Sequence, residues 1–392
     1  MCVAGLLAAS ACATRQPPAL GIKWLPDCEG RAINPLDPEV VARTQCGIVT
    51  VPLDHLRPAR GTLELDITRV AALQPLKREG AIFTNPGGPG ADGSGFTVVL
   101  AWIWKGYGQR SGGEAYRHLT ETYDLIGVTP RGMGSKPGSQ LVCQSDEMIV
   151  AQNDITEDRS PGNLQALQHN AGVLARGCAG QRLAPYINTD QTARDMEFVR
   201  VQLGEKHLNY FGSSYGTWLG AWYAGLFPKH VGRMVLDSNT DWTSTFQEAS
   251  LIQAPEKERI FTRFVAQRAA SQPTLYQMGD DPAAIREVFL GLLPEVRVAL
   301  RSDNDLYSSV ETLMAARALS DWLRQSPNLE DAKLLEKAQA YRFSRDAEID
   351  QSANTAFATL LSLTRSPRPW NDIEPGPLKL TPEMSVRSTV LC

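Results

Sequence analysis

Two hydrophobic periods divide the chain. Gly47–Leu53 and Leu63–Val70 alternate apolar with polar or β-branched residues, as half-buried strands do, and are expected to pair antiparallel at a sheet edge. Ala81–Thr84 and Tyr123–Val128 read as short buried strands, and Leu208–Phe211 and Arg233–Asp237 as two more. Thr192–Leu203 has a helical period, with Met196, Val199, Arg200 and Leu203 roughly on one face. The apolar run Thr217–Phe227 also reads as helix. Strands that alternate with helices and end in Gly-rich loops imply a mainly parallel sheet with its site at the carboxyl ends of the strands. After about Trp242 the helical period takes over: Glu256–Ala270, Pro282–Leu293, Ser308–Leu323 and Glu330–Tyr341 all follow it. Asp281 before Pro282 marks a helix start, and Ser308 with Glu311 has capping-box spacing. No comparable strand-like run follows until Ser385–Cys392. Residues 14–43, rich in proline and polar residues, read as irregular.

A length of 392 residues suits one large domain with a substantial insertion, or two domains. Hydrophobic residues at 43% and charged residues at 21% are ordinary for a soluble globular chain with a large core. A net charge of −4, without runs of like charge, gives no reason to expect nucleic acid as a partner. Cys2–Ala13 is apolar and too short to span a bilayer. Leu6-Leu7-Ala8-Ala9 followed by Ser10-Ala11 resembles the tail of a secretory signal, and Ala9-Ser10-Ala11-Cys12 resembles a lipobox that would make Cys12 a lipid anchor. The usual basic start is absent. Export would put the cysteines in an oxidising compartment, where Cys28–Cys46 and Cys143–Cys178, close in sequence, are able to bridge; reduced, buried thiols are the alternative. Cys392 is then left over. There is no C-x-x-C pair, so neither a zinc site nor thioredoxin-like chemistry is expected, and no metal or cofactor is called for.

The chemistry concentrates in two loops. Gly212-Ser213-Ser214-Tyr215-Gly216 reads G-x-S-x-G, with a strand-like run before it and a helix-like run after it. That is the pattern of a nucleophile elbow, in which a strained turn exposes Ser214 above the sheet and aims a helix N-terminus at the site. Ser213 holds the variable place in the motif. Gly87, Gly88 and Gly90 follow the strand at Ala81–Thr84 and let backbone N–H groups approach a ligand oxygen. Pro89 has no N–H, so Gly88 is the expected donor, paired with the Tyr215 N–H as an oxyanion hole. No Gly-Lys-Ser/Thr follows, which argues against a phosphate loop.

Taken together, Asn85-Pro86-Gly87-Gly88-Pro89-Gly90, Pro130-Arg131-Gly132-Met133-Gly134, Tyr210–Thr217 and Leu226–Asp237 resemble the tripeptidyl-aminopeptidase and proline-iminopeptidase branch of the α/β-hydrolases. Gln45-Cys46-Gly47 and Val51-Pro52-Leu53-Asp54 resemble the entry of its secreted bacterial members. The resemblance covers about Trp24 to Trp242. It implies an α/β-hydrolase fold with helices on both faces of the sheet and a helical lid inserted after the sixth strand. It also implies an exported serine exopeptidase that removes short units from peptide N-termini through an acyl-enzyme, although esterases share the branch. The expected organisation is a signal-like segment at 1–13, an irregular segment at 14–43, the hydrolase core at 44–242, the lid at 243–384 and the start of a returning core at 385–392. Thr129 departs from the branch, which usually has Asp before Pro-Arg-Gly, and Ser238-Asn239 replaces a commoner Gly-containing pair.

The catalytic acid and histidine of the branch come after the lid. The five histidines here are His55, His118, His169, His207 and His230, all ahead of it. The expectation is therefore a C-terminally truncated version of the plan, lacking its last strands and its base. His230 matches a surface position. Asp237, at the end of the strand beside the elbow, is the one candidate acid, and Asp195 and Glu197 read as helix surface. Glu256, Glu258, Asp280 and Asp281 are candidates for an amine-binding acidic patch. A non-catalytic binding protein that kept the fold is the rival reading. The preferred substrate and the oligomeric state are left open.

Overall fold

The computed structural model describes residues 19–29, 37–153, 155, 158–302, 309–365 and 375–391. The chain divides into two units. The first runs to Ile149, resumes over His169–Phe246 and ends with the segment from Gly376; the second takes Val150–Gln168 and Gln247–Pro375.

The strands of the first unit are β1 (Gly21–Trp24), β2 (Thr44–Pro52), β3 (Thr62–Val70), β4 (Gly80–Asn85), β5 (Tyr123–Val128), β6 (Gln144–Ile149), β7 (Leu208–Ser213), β8 (Val231–Asp237) and β9 (Gly376–Lys379). Seven of them form one sheet in the order β1-β2-β3-β5-β4-β7-β8, and β6 pairs separately with β9. β1, β2, β3 and β5 run antiparallel, with Cys46 opposite Thr68 on β2 and β3. β5, β4, β7 and β8 run parallel, so their carboxyl ends share one edge. The irregularity expected for 14–43 is corrected at Gly21–Trp24, which is a strand, and at Pro38–Ala42, the short helix α1. A four-residue edge strand has little sequence signal of its own. Its ladder to β2 and the Cys28–Cys46 disulfide hold it.

The sheet is covered by α2 (Gly93–Gly108), α3 (Glu114–Thr122), α5 (Thr189–Gln202) and α6 (Tyr215–Leu226), whereas α4 (Pro161–Ala179, whose first half groups with the second unit) brings Gly177 against Gln144 of β6 and Leu378 of β9. Successive strand residues point to opposite faces. Ile82 and Phe211 pack with Val98, Ala101 and Trp104 of α2. Their neighbours Phe83 and Tyr210 face Met196 of α5 and Leu219 of α6. Helices therefore cover both faces of the sheet, as expected.

The second unit is helical: α7 (Phe246–Ile260), a π-helical stretch at Phe261–Ala266, α8 (Gln267–Ser271), α9 (Pro273–Tyr276), α10 (Pro282–Leu290), α11 (Pro294–Ser302), α12 (Val310–Gln325), α13 (Asp331–Ala340) and α14 (Ala347–Arg365). Phe261, Phe289, Leu319 and Phe357 lie in its core. Asp281 caps α10 as expected, accepting from the Ala283 N–H. The cap of α12 is Ser309, one residue later than the expected Ser308, which lies outside the described residues. Its side chain accepts from Thr312 N at 3.3 Å and donates to Glu311. Among the described residues no helix is long and apolar enough to cross a membrane.

Gly376 returns the chain to the first unit. Ser385–Cys392, expected as a strand, is instead part of helix α15 (Pro382–Leu391). Pro382 suits a first helical turn, and Val386 is buried against the loops after β4 and β5. Tertiary packing thus overrides the strand preference of Val386, Thr389 and Val390. Ser385 Oγ accepts the Cys143 N–H at 2.9 Å and donates to the Thr381 carbonyl. Cys143 is disulfide-bonded to Cys178, so both expected bridges are present. Cys2, Cys12 and Cys392 lie outside the described residues.

Candidate active site

The elbow is built by steric necessity. Ser214 has φ 54° and ψ −124°, a conformation that costs a side-chain-bearing residue about 1–3 kcal/mol and persists only where its surroundings impose it. Here the Ser214 N–H donates to the Asp237 carbonyl at 3.0 Å, and the Ser214 carbonyl accepts from Thr217 N and Thr217 Oγ1. A Cβ on Gly212 would lie 2.5 Å from the Gly216 carbonyl oxygen, and one on Gly216 would lie 2.7 Å from the Asn85 carbonyl oxygen. Neither position admits a side chain. The Tyr210 hydroxyl donates to Gly216 O at 2.8 Å, and burial keeps that phenol protonated by raising its pKa well above the usual value. Ser214 itself is exposed, and Tyr215 opens α6. The Tyr215 side chain is buried and shares a hydrogen bond with Thr189. Burial pushes its hydroxyl up to about 12 despite that bond.

The loop after β4 lies against this turn. A Cβ on Gly87 would come within 2.6 Å of Ser213 O and 2.9 Å of Tyr215 N, and Gly87 and Gly88 have φ of 102° and 105°. The far side of the loop meets α15, where a Cβ on Gly90 would lie 3.2 Å from Val386 Cβ. Thr129, at the end of β5, bonds Asp92 Oδ1 and Ser94 Oγ, and Asp92 caps α2. The departure from the expected Asp thus ties the β5 loop to the start of α2.

A third group went unrecognised in the sequence. Arg131, fully buried, makes two bonds to Asp195, from Nε at 2.7 Å and Nη2 at 2.8 Å, and donates to the carbonyls of Pro52, Leu53 and Tyr186. His55 Nε2 meets the same carboxylate at 2.7 Å. Asp195 is therefore buried, which corrects its reading as helix surface. Glu197 is half-buried and holds Arg200, Tyr223 and His230. Burial raises the Asp195 carboxyl, but the Arg131 charge and the bonds from Arg131 and His55 outweigh it and hold the pKa below its usual value. The only sequence signal was Arg131 inside a Gly-rich loop. A cavity of about 20 Å³, room for one water, is lined by Asn85, Thr129, Asp195 and Tyr210.

The structure also separates most histidines from the elbow. His207 and His230 immediately precede β7 and β8, and His118 lies in the helix before β5. Because these strands are parallel, all three sit at the amino ends, about 20 Å from Ser214 along β7. His118 meets Glu79 and His230 meets Glu197. His169 bonds the Met148 carbonyl. His55 does lie at the carboxyl end, beyond β2, but its Nε2 is engaged by Asp195. Among the described residues no histidine bonds Ser214. Asp237 ends β8 opposite Ser213 and is exposed. Of the acidic candidates in the helical unit, Glu256 pairs with Arg259, Glu258 pairs with Arg286, and Asp281 is a helix cap.

The sheet, the elbow and the loop facing it define the class of fold: the chain has an α/β-hydrolase fold, and residues 85–276 match the family described as alpha/beta hydrolase fold. Curated proteins similar to it include peptidases and an esterase. It is 34% identical over 254 residues to the tripeptidyl aminopeptidase of Streptomyces coelicolor, covering 63% of this chain and 45% of that protein. It is 30% identical over 284 residues to serine protease Hip1 of Mycobacterium tuberculosis, covering 70% and 50% respectively. It is 33% identical over 239 residues to carboxylesterase B of Mycobacterium tuberculosis, covering 60% and 44%. The chain thus spans about half the length of the curated relatives it matches.

Proposed function

We propose that Ser214 is the acyl-accepting nucleophile of an exported serine peptidase that releases short units from peptide N-termini. The observation that carries this reading is the elbow itself, with an exposed Ser214 in a strained turn between β7 and α6. The Gly88 and Tyr215 N–H groups are the oxyanion donors. When Ser214 Oγ bonds to the scissile carbonyl carbon, the carbonyl oxygen gains the negative charge those donors hold, and the hydroxyl proton must leave to a base. Asp237 is the acid candidate in this scheme. Similarity to proteins named tripeptidyl aminopeptidase and serine protease supports peptide over ester, and two disulfides support export. The test is labelling with a fluorophosphonate probe, which bonds covalently to the serine. Labelling of the wild type that is lost in Ser214→Ala supports the reading, and labelling that survives in Ser214→Ala refutes it. Hydrolysis of tripeptidyl anilide against p-nitrophenyl acetate then separates peptidase from esterase.

A second reading, a binding protein on the same fold, draws on one observation: among the described residues no histidine is bonded to Ser214. It predicts a folded, unlabelled wild type. Lipid anchoring at Cys12 is a separate proposal. Metabolic incorporation of a fatty-acid alkyne that is abolished by Cys12→Ser supports it, and incorporation that persists excludes it.

A further inference from the structure

One side chain reaches into the turn of the loop that faces Ser214. Asn85 ends β4, is 5% exposed, and its Oδ1 accepts the Gly87 N–H at 2.9 Å. Pro89 has no N–H to offer. Among the described residues neither the Gly88 nor the Tyr215 N–H takes a protein acceptor. These two donors are left for a ligand because Asn85 has already occupied the third. The same residue touches the other wall of the site. A Cβ built on Gly216, one residue beyond Tyr215, would lie 3.1 Å from Asn85 Oδ1 and 2.7 Å from Asn85 O. Asn85 is therefore lodged between the loop that carries Gly88 and the helix start that carries Tyr215.

We infer that Asn85 is the positioning residue of the oxyanion site, whose carboxamide oxygen sets the Gly87–Gly88 turn and keeps the two donors in register. This rests on the reading of Ser214 as nucleophile. The physical need is plain. Gly87, Gly88 and Gly90 give the loop backbone freedom that residues with side chains would not, and Gly87 and Gly88 both occupy the left-handed region where glycine moves easily. A donor that must meet developing charge contributes only if it is fixed beforehand, and misplacement by about 1 Å costs as much as 100-fold in rate. Without Oδ1 the Gly87 N–H would be unsatisfied, and it would compete with Gly88 for the same oxygen.

The test compares wild type, Asn85→Ala and Asn85→Asp in the full chain by two readouts. The first is amide hydrogen exchange over residues 86–91. The second is inactivation by a fluorophosphonate, separated into its saturating rate and its half-saturating concentration. In Asn85→Ala, exchange of the loop should rise about tenfold, as expected for loss of a bond of about 1.4 kcal/mol, while β2 and β3 keep wild-type protection. The saturating rate should fall about 10- to 100-fold with the half-saturating concentration unchanged. Asn85→Asp keeps an acceptor at Gly87, so its loop should exchange like wild type, while its negative charge beside the oxyanion site lowers the saturating rate. Wild-type exchange in Asn85→Ala, or alanine-like exchange in Asn85→Asp, overturns the inference. So does an unchanged saturating rate in Asn85→Ala. A wild type that is not labelled at all defeats the nucleophile reading instead, and loop exchange then decides the role of Asn85 alone.

Discussion

Arg131 and Asp195 are the charges this interior can least afford to separate. Each is desolvated, each completes the other, and the remaining guanidinium protons are spent on three carbonyls. Asp195→Asn should therefore destabilise the fold by about 3–5 kcal/mol at neutral pH, because it leaves Arg131 buried with its charge uncompensated. The pH dependence has a definite sign. The folded pKa of Asp195 is depressed, so its contribution is present above the unfolded value of about 3.9 and is lost as pH falls through the folded value. Urea unfolding of both proteins should show a gap at pH 7 that closes below about pH 4; a gap that stays constant with pH would refute this account. At this scale Ser214, Gly212 and Gly216 were legible in the sequence, because the elbow excludes any other arrangement of side chains locally. Asp195 was not, because its partner lies 64 positions away and a carboxylate on a mostly polar helix carries no local mark of burial.

Elements were legible where the pattern was long or repeated. The strands around Ala81, Tyr123 and Leu208 appear close to where their apolar runs place them. The exceptions are elements fixed by something distant. β1 depends on its partner strand and a disulfide, and α15 on the glycines it packs against. The Cys143–Cys178 bridge joins the start of the β6 region to α4, and Ser385 of α15 bonds directly to the Cys143 backbone. Replacing both cysteines with serine should cost about 2–4 kcal/mol in chemical denaturation. It should also raise hydrogen exchange in α15 and, through Val386, in residues 86–91. Exchange confined to β6 and α4 would show that α15 stands without the bridge.

On the scale of the molecule, β8 is one edge of the large sheet among the described residues. Val231, Met234, Val235 and Leu236 make it apolar, and Val235 is 56% exposed. Such an edge presents unpaired backbone groups beside apolar side chains, the combination that recruits another strand. Val235→Lys should reduce concentration-dependent self-association measured by sedimentation velocity, and an unchanged profile would place the adhesive surface elsewhere. The return of α15 has a different consequence, one of timing. The Cys143–Ser385 bond closes across 242 positions, so the wall behind the Gly-rich loop is supplied by a segment made long after the loop itself. Contacts of such long range form slowly, since the intervening chain must first be ordered. A nascent chain can pair β2 with β3 early, but the surface facing Ser214 stays open until synthesis has passed Val386. The corner around Ser214 thus assembles well after the β2–β3 pair, so its strained turn gains its full surroundings late.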